Sequence, residues 1–107
     1  MPDRQIFYYQ TSDGRIPFRE WLFRLDPSAY ARVAARLLRL SEGNFGDYKN
    51  LGLGIFELRI HWGPGYRVYF GLRGREAVLL LSGGDKGSQE NDIRKACSLW
   101  QDYLRRK

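Results

Sequence analysis

The stretch "IFELRIHWGPGYRVYFGLRGREAVLLLS", residues 55–82, decides the fold because it contains three strand candidates in succession. The predicted strands are Ile55–Trp62, Tyr66–Leu72 and Glu76–Ser82, and the turns "GPG" and "RGR" separate them. The third strand contains "AVLLL", which is apolar at every position, as expected of a central strand with both faces covered. The stretch therefore predicts a largely antiparallel sheet.

The residues before this stretch predict one strand and two helices. "QIFYYQ" (5–10) is rich in β-formers, and "TSDGR" (11–15) is a turn. A first helix is predicted in "IPFREWLFRL" (16–25), and a second helix begins after the capping residue Asp26 and ends near Gly43. Because almost no linker separates the two helices, we expect an antiparallel helical hairpin. The glycine-rich segment Phe45–Gly54 is predicted to be a loop.

Helical periodicity assigns faces to the second helix and to a last one. In the second helix, the predicted apolar stripe is Tyr30, Val33, Ala34, Leu37 and Leu38, with Arg32, Arg36 and Arg39 on the opposite side. After the loop "GGDKG" (83–87), Ser88 is predicted to cap a helix whose stripe is Ile93, Ala96, Cys97, Trp100 and Leu104. The predicted fold is α+β, in the order β-α-α-β-β-β-α.

Length and charge limit the possible functions. The chain has 107 residues, the size of one domain, so we expect a single domain over residues 1–107. Its formal net charge of +6 favours a polyanion or an acidic protein as partner.

Cysteine, histidine and hydropathy exclude several classes of protein. The single cysteine, Cys97, cannot form an intrachain disulfide, and one cysteine with one histidine predicts no metal site. No cofactor is predicted. The N-terminal "MPDRQIFYYQ" has no apolar run of signal-peptide length, and the longest apolar run, Ala77–Leu81, is too short to cross a membrane. We therefore expect a cytoplasmic protein that does not bind membranes.

One face of the predicted sheet carries reactive side chains. Alternation along the first two strands puts Glu57, Arg59, His61, Arg67 and Tyr69 on one face, beside the loop that contains Lys86. Cleavage of RNA by a ribose 2′-OH requires a base, an acid and cations that hold the phosphate. His61 suits proton transfer, because its ordinary pKa lies near neutrality. Arg59, Arg67 and Lys86 suit phosphate binding, and Tyr66 or Tyr69 suits stacking on a base.

The same face has a simpler interpretation. Charged residues on alternate positions of a strand usually form a solvated face, and Tyr69 would then pack between arginine stems. Periodicity alone favours this interpretation. Glu57 is predicted to be an ion-pair partner that orients Arg59 or Arg67.

A family resemblance favours the chemical interpretation. The motifs "GIFELRI", "GPGYRVY" and "GGDKGSQENDI", followed by Ala96 and Trp100, resemble the RelE/ParE superfamily of type II toxin–antitoxin toxins, and more narrowly its HigB-like branch of addiction module killer proteins. The resemblance spans nearly the whole chain. It implies a helical hairpin packed on an antiparallel-rich sheet, and cleavage of mRNA in the ribosomal A site. It also implies inhibition by a cognate antitoxin, typically a helix-turn-helix protein, whose complex with the toxin represses their operon.

The resemblance also implies roles for individual residues. Arg67 matches the family arginine at the scissile phosphate, Arg59 matches a basic position in the preceding strand, and Lys86 matches the basic residue of the glycine-rich loop. RelE itself places a catalytic tyrosine shortly after this loop, whereas this chain reads "SQENDI" there. Either His61 performs the acid–base chemistry, or the fold carries a weaker or different activity.

Three hypotheses follow from these observations. The first is a ribosome-dependent, metal-independent mRNA endonuclease with His61, Arg67, Lys86 and Arg59 as catalytic residues. In that hypothesis the remaining basic residues bind RNA backbone by charge: Lys49, Arg73, Arg75, Arg105, Arg106 and Lys107. The second is a ParE-like inhibitor of DNA gyrase. The third is a degenerate toxin that only binds its antitoxin and, through that complex, operator DNA.

Overall fold

Five strands form one sheet, and helices cover both of its faces. The computed structural model describes residues 3–107. The strands are β1 (Gln5–Tyr8), β2 (Tyr48–Asn50), β3 (Ile55–Ile60), β4 (Tyr66–Arg73) and β5 (Ala77–Asp85). The helices are α1 (Pro17–Phe23), α2 (Pro27–Ser41) and α3 (Gln89–Arg106), and a short 3-10 turn (Lys86–Ser88) joins β5 to α3.

The order of the strands in the sheet is β1-β5-β4-β3-β2. β1 runs parallel to β5, and every other neighbouring pair is antiparallel. The predicted α+β class and largely antiparallel sheet are confirmed. Met1 and Pro2, which begin the predicted domain and the stretch in which no signal peptide is predicted, lie outside the described residues. No helix within residues 3–107 has the length and apolar character to cross a membrane.

Each face of the sheet has its own apolar layer. α1 and α2 contribute Phe18, Leu22, Val33 and Leu40 to one layer, which packs on Leu58 and Phe70 of the sheet. On the other face, Ala96 and Trp100 of α3 pack on a second layer that includes Ile55, Tyr69, Leu79 and Leu81. β5 therefore has both faces covered, as its uninterrupted apolar run predicts.

The strand boundaries differ from the prediction by two or more residues in four places. β3 ends at Ile60 instead of Trp62, where the Trp62 N–H turns back to donate to the carbonyl oxygen of Ile60 (2.9 Å). β1 ends at Tyr8 instead of Gln10, and its last backbone hydrogen bond to β5 runs from the Tyr9 N–H to the Leu80 carbonyl oxygen (2.9 Å). β2 lies inside the predicted glycine-rich loop, where it pairs with β3. β5 continues through Gly83 and Gly84 to Asp85, because both glycines pair with β4.

The predicted apolar stripe of α2 is wrong in part. Ala29, Val33 and Leu40 are buried, whereas Tyr30, Ala34 and Leu38 are exposed. Arg36 is half-buried instead of facing solvent, because its guanidinium donates to the carbonyl oxygens of Arg59 (2.6 Å), Phe45 (3.0 Å) and Asp47 (3.3 Å). These three carbonyls belong to a different part of the chain, so helical periodicity has no access to them.

Helix capping follows the prediction at α2 and departs from it at α3. The Asp26 carboxylate accepts from the backbone N–H of Ala29 (2.9 Å), as predicted. Ser88 does not cap α3 through its side chain. Its hydroxyl instead donates to the carboxylate of Asp92, and Asp85 caps the 3-10 turn by accepting from the backbone N–H of Gly87 (2.8 Å).

Candidate functional site

A groove lies at the end of the sheet where β3 ends, β4 begins and β5 meets the 3-10 turn. This sheet-end groove is lined by His61, Trp62, Gly63–Gly65, Arg67 and Lys86, and its volume is about 400 Å³. Gly65 has φ +81°, and a Cβ there would lie 3.5 Å from the Cβ of Lys86. The "GPG" turn thus lets the backbone pass close to Lys86. The fold brings together three of the predicted catalytic residues in one groove.

Arg67 is the buried cation of the sheet-end groove. It is 7% exposed, and neither its Nε nor its NH1 has a hydrogen-bond partner within residues 3–107. Arg59 lies directly opposite it on the neighbouring strand. Two like charges at opposed positions destabilise a sheet, and an unpaired buried guanidinium adds to that cost. Binding of an oxyanion would remove both penalties.

Glu57 supplies the negative charge beside these arginines. Its side chain is fully buried, and it accepts hydrogen bonds from Arg59 Nε (2.9 Å) and from Gln89 Nε2 (2.8 Å). Burial opposes ionisation of this carboxyl group, but the hydrogen bonds from Gln89 and Arg59 outweigh it and hold its pKa below the ordinary value. The predicted ion pair between Glu57 and Arg59 is confirmed. Gln89 was missed, although it is the glutamine of the "GGDKGSQ" motif.

Tyr69 lies on the same sheet face as Glu57 and Arg67, and α3 covers it completely. The side chain is fully buried under α3, and its hydroxyl lies 3.4 Å from Glu57 Oε2. Burial, with the nearby negative charge of Glu57, raises the pKa of this tyrosine. The interpretation as a solvated face is therefore wrong, because α3 covers it. The prediction that Tyr69 stacks on a base does not fit this position, since its ring has no accessible face.

Tyr66 points to the opposite face of the sheet and remains partly accessible. Its ring stacks on Trp62 (centroids 6.3 Å apart) and meets Trp21 edge-on (6.1 Å). The guanidinium of Arg32 lies over the ring of Trp62 at 5.1 Å. A half-exposed aromatic row therefore borders the groove, and Tyr66 is its member nearest to Arg67 in the chain.

His61 has an acidic partner that the sequence did not predict. Its Nε2 contacts the carboxylate of Asp47, and both side chains are exposed. The hydrogen bond from His61 lowers the pKa of Asp47 below its usual range. The backbone also links these segments, because the N–H of Arg59 donates to the carbonyl oxygen of Asp47 (2.9 Å). Asp47 lies in the predicted loop, where nothing in the sequence pattern connects it to β3.

The remaining predicted RNA-binding residues divide into two groups. Lys49 is exposed on β2 opposite Glu57, and therefore lies on the same face as the arginines. The others lie towards the far end of β4, roughly 20 Å from Tyr66 at about 3.3 Å per residue. This far-end cluster consists of Arg73 at the end of β4, Arg75 in the turn between β4 and β5, and Arg105, Arg106 and Lys107 at the C-terminal end of α3. Within it, Arg106 already donates to Asp102 (2.8 Å) and to the carbonyl oxygen of Gln10 (2.7 Å).

Two comparisons with known proteins give the family. The sequence profile of a family described as "Phage derived protein Gp49-like (DUF891)" matches residues 20–98, which is well over half of the chain. A protein of Haemophilus influenzae, described only as uncharacterized, is 48% identical over 88 residues, covering 81% of this chain and 89% of that protein. The chain therefore belongs to the phage-derived Gp49-like family, a toxin-like family of addiction modules of the RelE/ParE kind.

Proposed function

We propose that this protein is the toxin of a type II toxin–antitoxin system and that it cuts mRNA on the ribosome. The proposal treats residues 1–107 as one toxin domain, neutralised by a cognate antitoxin of the helix-turn-helix class. The observation that carries it is Arg67, a buried guanidinium at the edge of an open groove with two nitrogens that have no partner within residues 3–107. A site that buries a cation without a partner is suited to an anion, and the RNA backbone presents one at every nucleotide.

The charges around Arg67 suit a phosphate whose negative charge grows during cleavage. Glu57 is engaged by Arg59 and Gln89, so it holds Arg59 beside Arg67 without forming an ion pair with Arg67. Lys86 also lines the groove and adds a flexible ammonium. A scissile phosphate at Arg67 would then have cations on two sides, and such preorganised charge is commonly the largest single contribution to catalysis.

Proton transfer falls to His61 in this proposal. The 2′-oxygen attacks the phosphorus and forms a cyclic phosphate, its proton passes to a base, and the departing 5′-oxygen takes a proton from an acid. Asp47 holds Nε2 of His61, which leaves Nδ1 as the nitrogen that exchanges a proton. One histidine performs one of the two transfers, and water in the open groove can perform the other.

Primer extension on mRNA with purified ribosomes tests the proposal. We expect Arg67→Ala to lower the cleavage rate by about 10²–10³-fold, as loss of one donor to a transition-state oxyanion does. Arg67→Lys should recover only part of this loss, because an ammonium lacks the planar fork of donors. His61→Ala should slow cleavage while ribosome binding is retained. Arg19→Ala, which removes an exposed charge on α1, is the matched control.

Cleavage that persists unchanged in Arg67→Ala would contradict the proposal. A wild-type protein that cuts no mRNA but inhibits supercoiling by DNA gyrase would instead support the ParE-like alternative. Binding to the antitoxin with neither activity would support the degenerate toxin.

A further inference from the structure

A second cavity, separate from the sheet-end groove, lies between α1 and α3. This side cleft has a volume of about 270 Å³. The residues that line it include Trp21, Arg24, Ser82, Gly84, Asp85, Asp92 and Lys95. Small-molecule sites in proteins usually measure about 300–1,000 Å³, so the side cleft suits a group smaller than a complete nucleotide or a peptide segment.

Ser82 gives the side cleft an unsatisfied polar group. Its side chain lines the cleft and is 2% exposed, and its hydroxyl oxygen has no hydrogen-bond partner within residues 3–107. Buried hydroxyl groups are nearly always paired, because an unpaired one costs free energy. A ligand bound in the side cleft would supply the missing partner.

The backbone of β5 is also open towards the side cleft. The last bond between β1 and β5 joins the Tyr9 N–H to the Leu80 carbonyl oxygen (2.9 Å). Beyond it, residues 81–85 have no strand neighbour on that side in the described part of the chain. Side chains are absent at Gly83 and Gly84, where a Cβ would collide with the Trp21 ring and the Asp92 carboxylate, respectively. The glycines thus bring an indole ring and a carboxylate to the edge of one strand.

The polar groups of the side cleft match one nucleobase better than the others. The carboxylate of Asp92 only accepts hydrogen bonds, and the hydroxyl of Ser88 already donates to it. Guanine presents two adjacent donors, N1–H and the N2 amino group, which one carboxylate accepts together, whereas adenine, cytosine and uracil each place an acceptor beside their donor. The half-buried Trp21 offers a ring surface, and Arg24 and Lys95 add positive charge for a neighbouring phosphate.

The position of the side cleft relates it to the proposed cleavage site. Gly84 pairs directly with Arg67 across the sheet, and neighbouring strands lie about 5 Å apart. The 3-10 turn separates the two cavities, with Lys86 facing the sheet-end groove and Ser88 the side cleft. A nucleotide whose phosphate contacts Arg67 could therefore reach the side cleft with the base next to it.

We infer that the side cleft binds a guanine base of the mRNA, adjacent to the cleaved bond. Asp92 accepts from its Watson–Crick edge, Ser82 provides a hydroxyl partner, and Trp21 contacts the ring. This inference rests on the proposed function for its biological setting, but the binding of guanine can be measured without any cleavage.

The test follows the indole N–H signals of the ¹⁵N-labelled full chain by NMR, with the Trp21 signal assigned from Trp21→Phe. Guanosine 5′-monophosphate and adenosine 5′-monophosphate are the probes, since they carry the same phosphate. We expect the guanine nucleotide to shift the Trp21 signal at concentrations at least about tenfold lower than the adenine nucleotide. Asp92→Asn should abolish this preference, because one of its oxygens becomes an amino donor, and Ser82→Ala should weaken guanine binding. Arg19→Ala, at an exposed position of α1 that lines neither cavity, should leave the preference intact.

Equal shifts from both nucleotides, or a preference that survives in Asp92→Asn, would overturn the inference, since either would mean that only the phosphate is bound. A Trp21 signal that neither nucleotide moves would also overturn it, and an antitoxin segment would become the candidate occupant. Primer extension separates the two proposals. A guanine preference without mRNA cleavage would contradict the proposed function and support guanine binding in the side cleft. Cleavage without any guanine preference would support the proposed function and contradict guanine binding in the side cleft.

Discussion

At the residue scale, two arginines lie near one buried carboxylate, and only one of them is paired with it. Arg59 occupies one oxygen of Glu57, and Gln89 and Tyr69 face the other. Arg67 is near enough to lower the pKa of Glu57 further by charge, but it makes no ion pair with it in residues 3–107. The cluster therefore carries one uncompensated positive charge in a largely buried position. This imbalance is what we expect of a site that is completed by an anion.

Replacement of Glu57 by glutamine tests this arrangement. Glu57→Gln keeps the shape of the side chain but removes the charge that Arg59 and Gln89 bind. We expect it to lower the free energy of unfolding at pH 7 by about 1.5–3 kcal/mol, the usual contribution of a hydrogen bond to a charged group. Urea denaturation measures this difference, and Glu76→Gln, at an exposed glutamate, should change stability by less than about 0.5 kcal/mol.

The loss of stability in Glu57→Gln should depend on pH, and the lowered pKa of Glu57 predicts the direction. The folded pKa is lowered from the ordinary value of 4.5, so the ionised carboxylate stabilises the fold above that pH. The stabilisation is lost as the pH falls below 4.5 and through the folded pKa. Wild type and Glu57→Gln should therefore become more similar in stability in acid. A difference that stays constant from pH 7 to pH 3 would show that the charge of Glu57 does not matter.

At the scale of elements, α3 converts a polar sheet face into a buried site. The ring of Trp100 lies over Gly71, where an added Cβ would be 2.6 Å from its Cε3. At this contact α3 packs closely against β4, and the first turn of the same helix places Gln89 within hydrogen-bonding distance of Glu57. A side chain at position 71 would therefore displace Trp100, and with it α3 and the hydrogen bond from Gln89 to Glu57.

A double-mutant cycle at Gly71 and Trp100 measures this coupling. Gly71→Ala should destabilise the wild type by about 1–3 kcal/mol, because overpacking forces the indole away. The same substitution should cost clearly less in a Trp100→Leu background, since the clash is absent. Gly87→Ala is the control, because its Cβ would meet only Asp85 Oδ1, at 3.2 Å. If the effects of the two substitutions on the free energy of unfolding are additive, the Trp100 ring does not determine how closely α3 packs on β4.

The sequence predicts the elements that have a strongly periodic pattern. It does not predict features that depend on contacts between residues far apart in the chain. The alternation in β3 and β4 identified the face that carries Glu57 and Arg67, because strand geometry fixes which residues share a face. The burial of that face depends on α3, which the local pattern cannot report. The same reason explains β2, a strand of three residues that exists only as a partner of β3. It also explains Arg36, whose carbonyl partners come from other elements.

At the scale of the whole molecule, two groups of basic residues lie towards opposite ends of the sheet. One group is Arg59, Arg67 and Lys86 with Lys49, and the other is the far-end cluster. On the proposed function, only the first group contacts the cleaved bond. The far-end cluster is then available to bind ribosomal RNA by charge, and such binding weakens as salt displaces it.

The salt dependence of ribosome binding separates these two roles. Arg105→Gln with Lys107→Gln removes two exposed charges from the far-end cluster and leaves Arg106 with its bonds to Asp102 and Gln10. We expect the slope of log affinity against log salt to become shallower by about 0.7–0.9 for each phosphate contact that is lost. The cleavage rate at saturating ribosomes should stay unchanged, because these residues are remote from Arg67.

Arg19→Gln with Arg39→Gln is the matched control, since it removes the same charge from exposed positions on α1 and α2. If the far-end cluster contacts RNA directly, this control should change the slope much less, because charges that are not at the interface release few counterions. An equal change in both double variants would mean that the net charge of +6 acts as a whole. A lower saturated cleavage rate in the far-end variant alone would mean instead that the cluster positions the mRNA in the sheet-end groove.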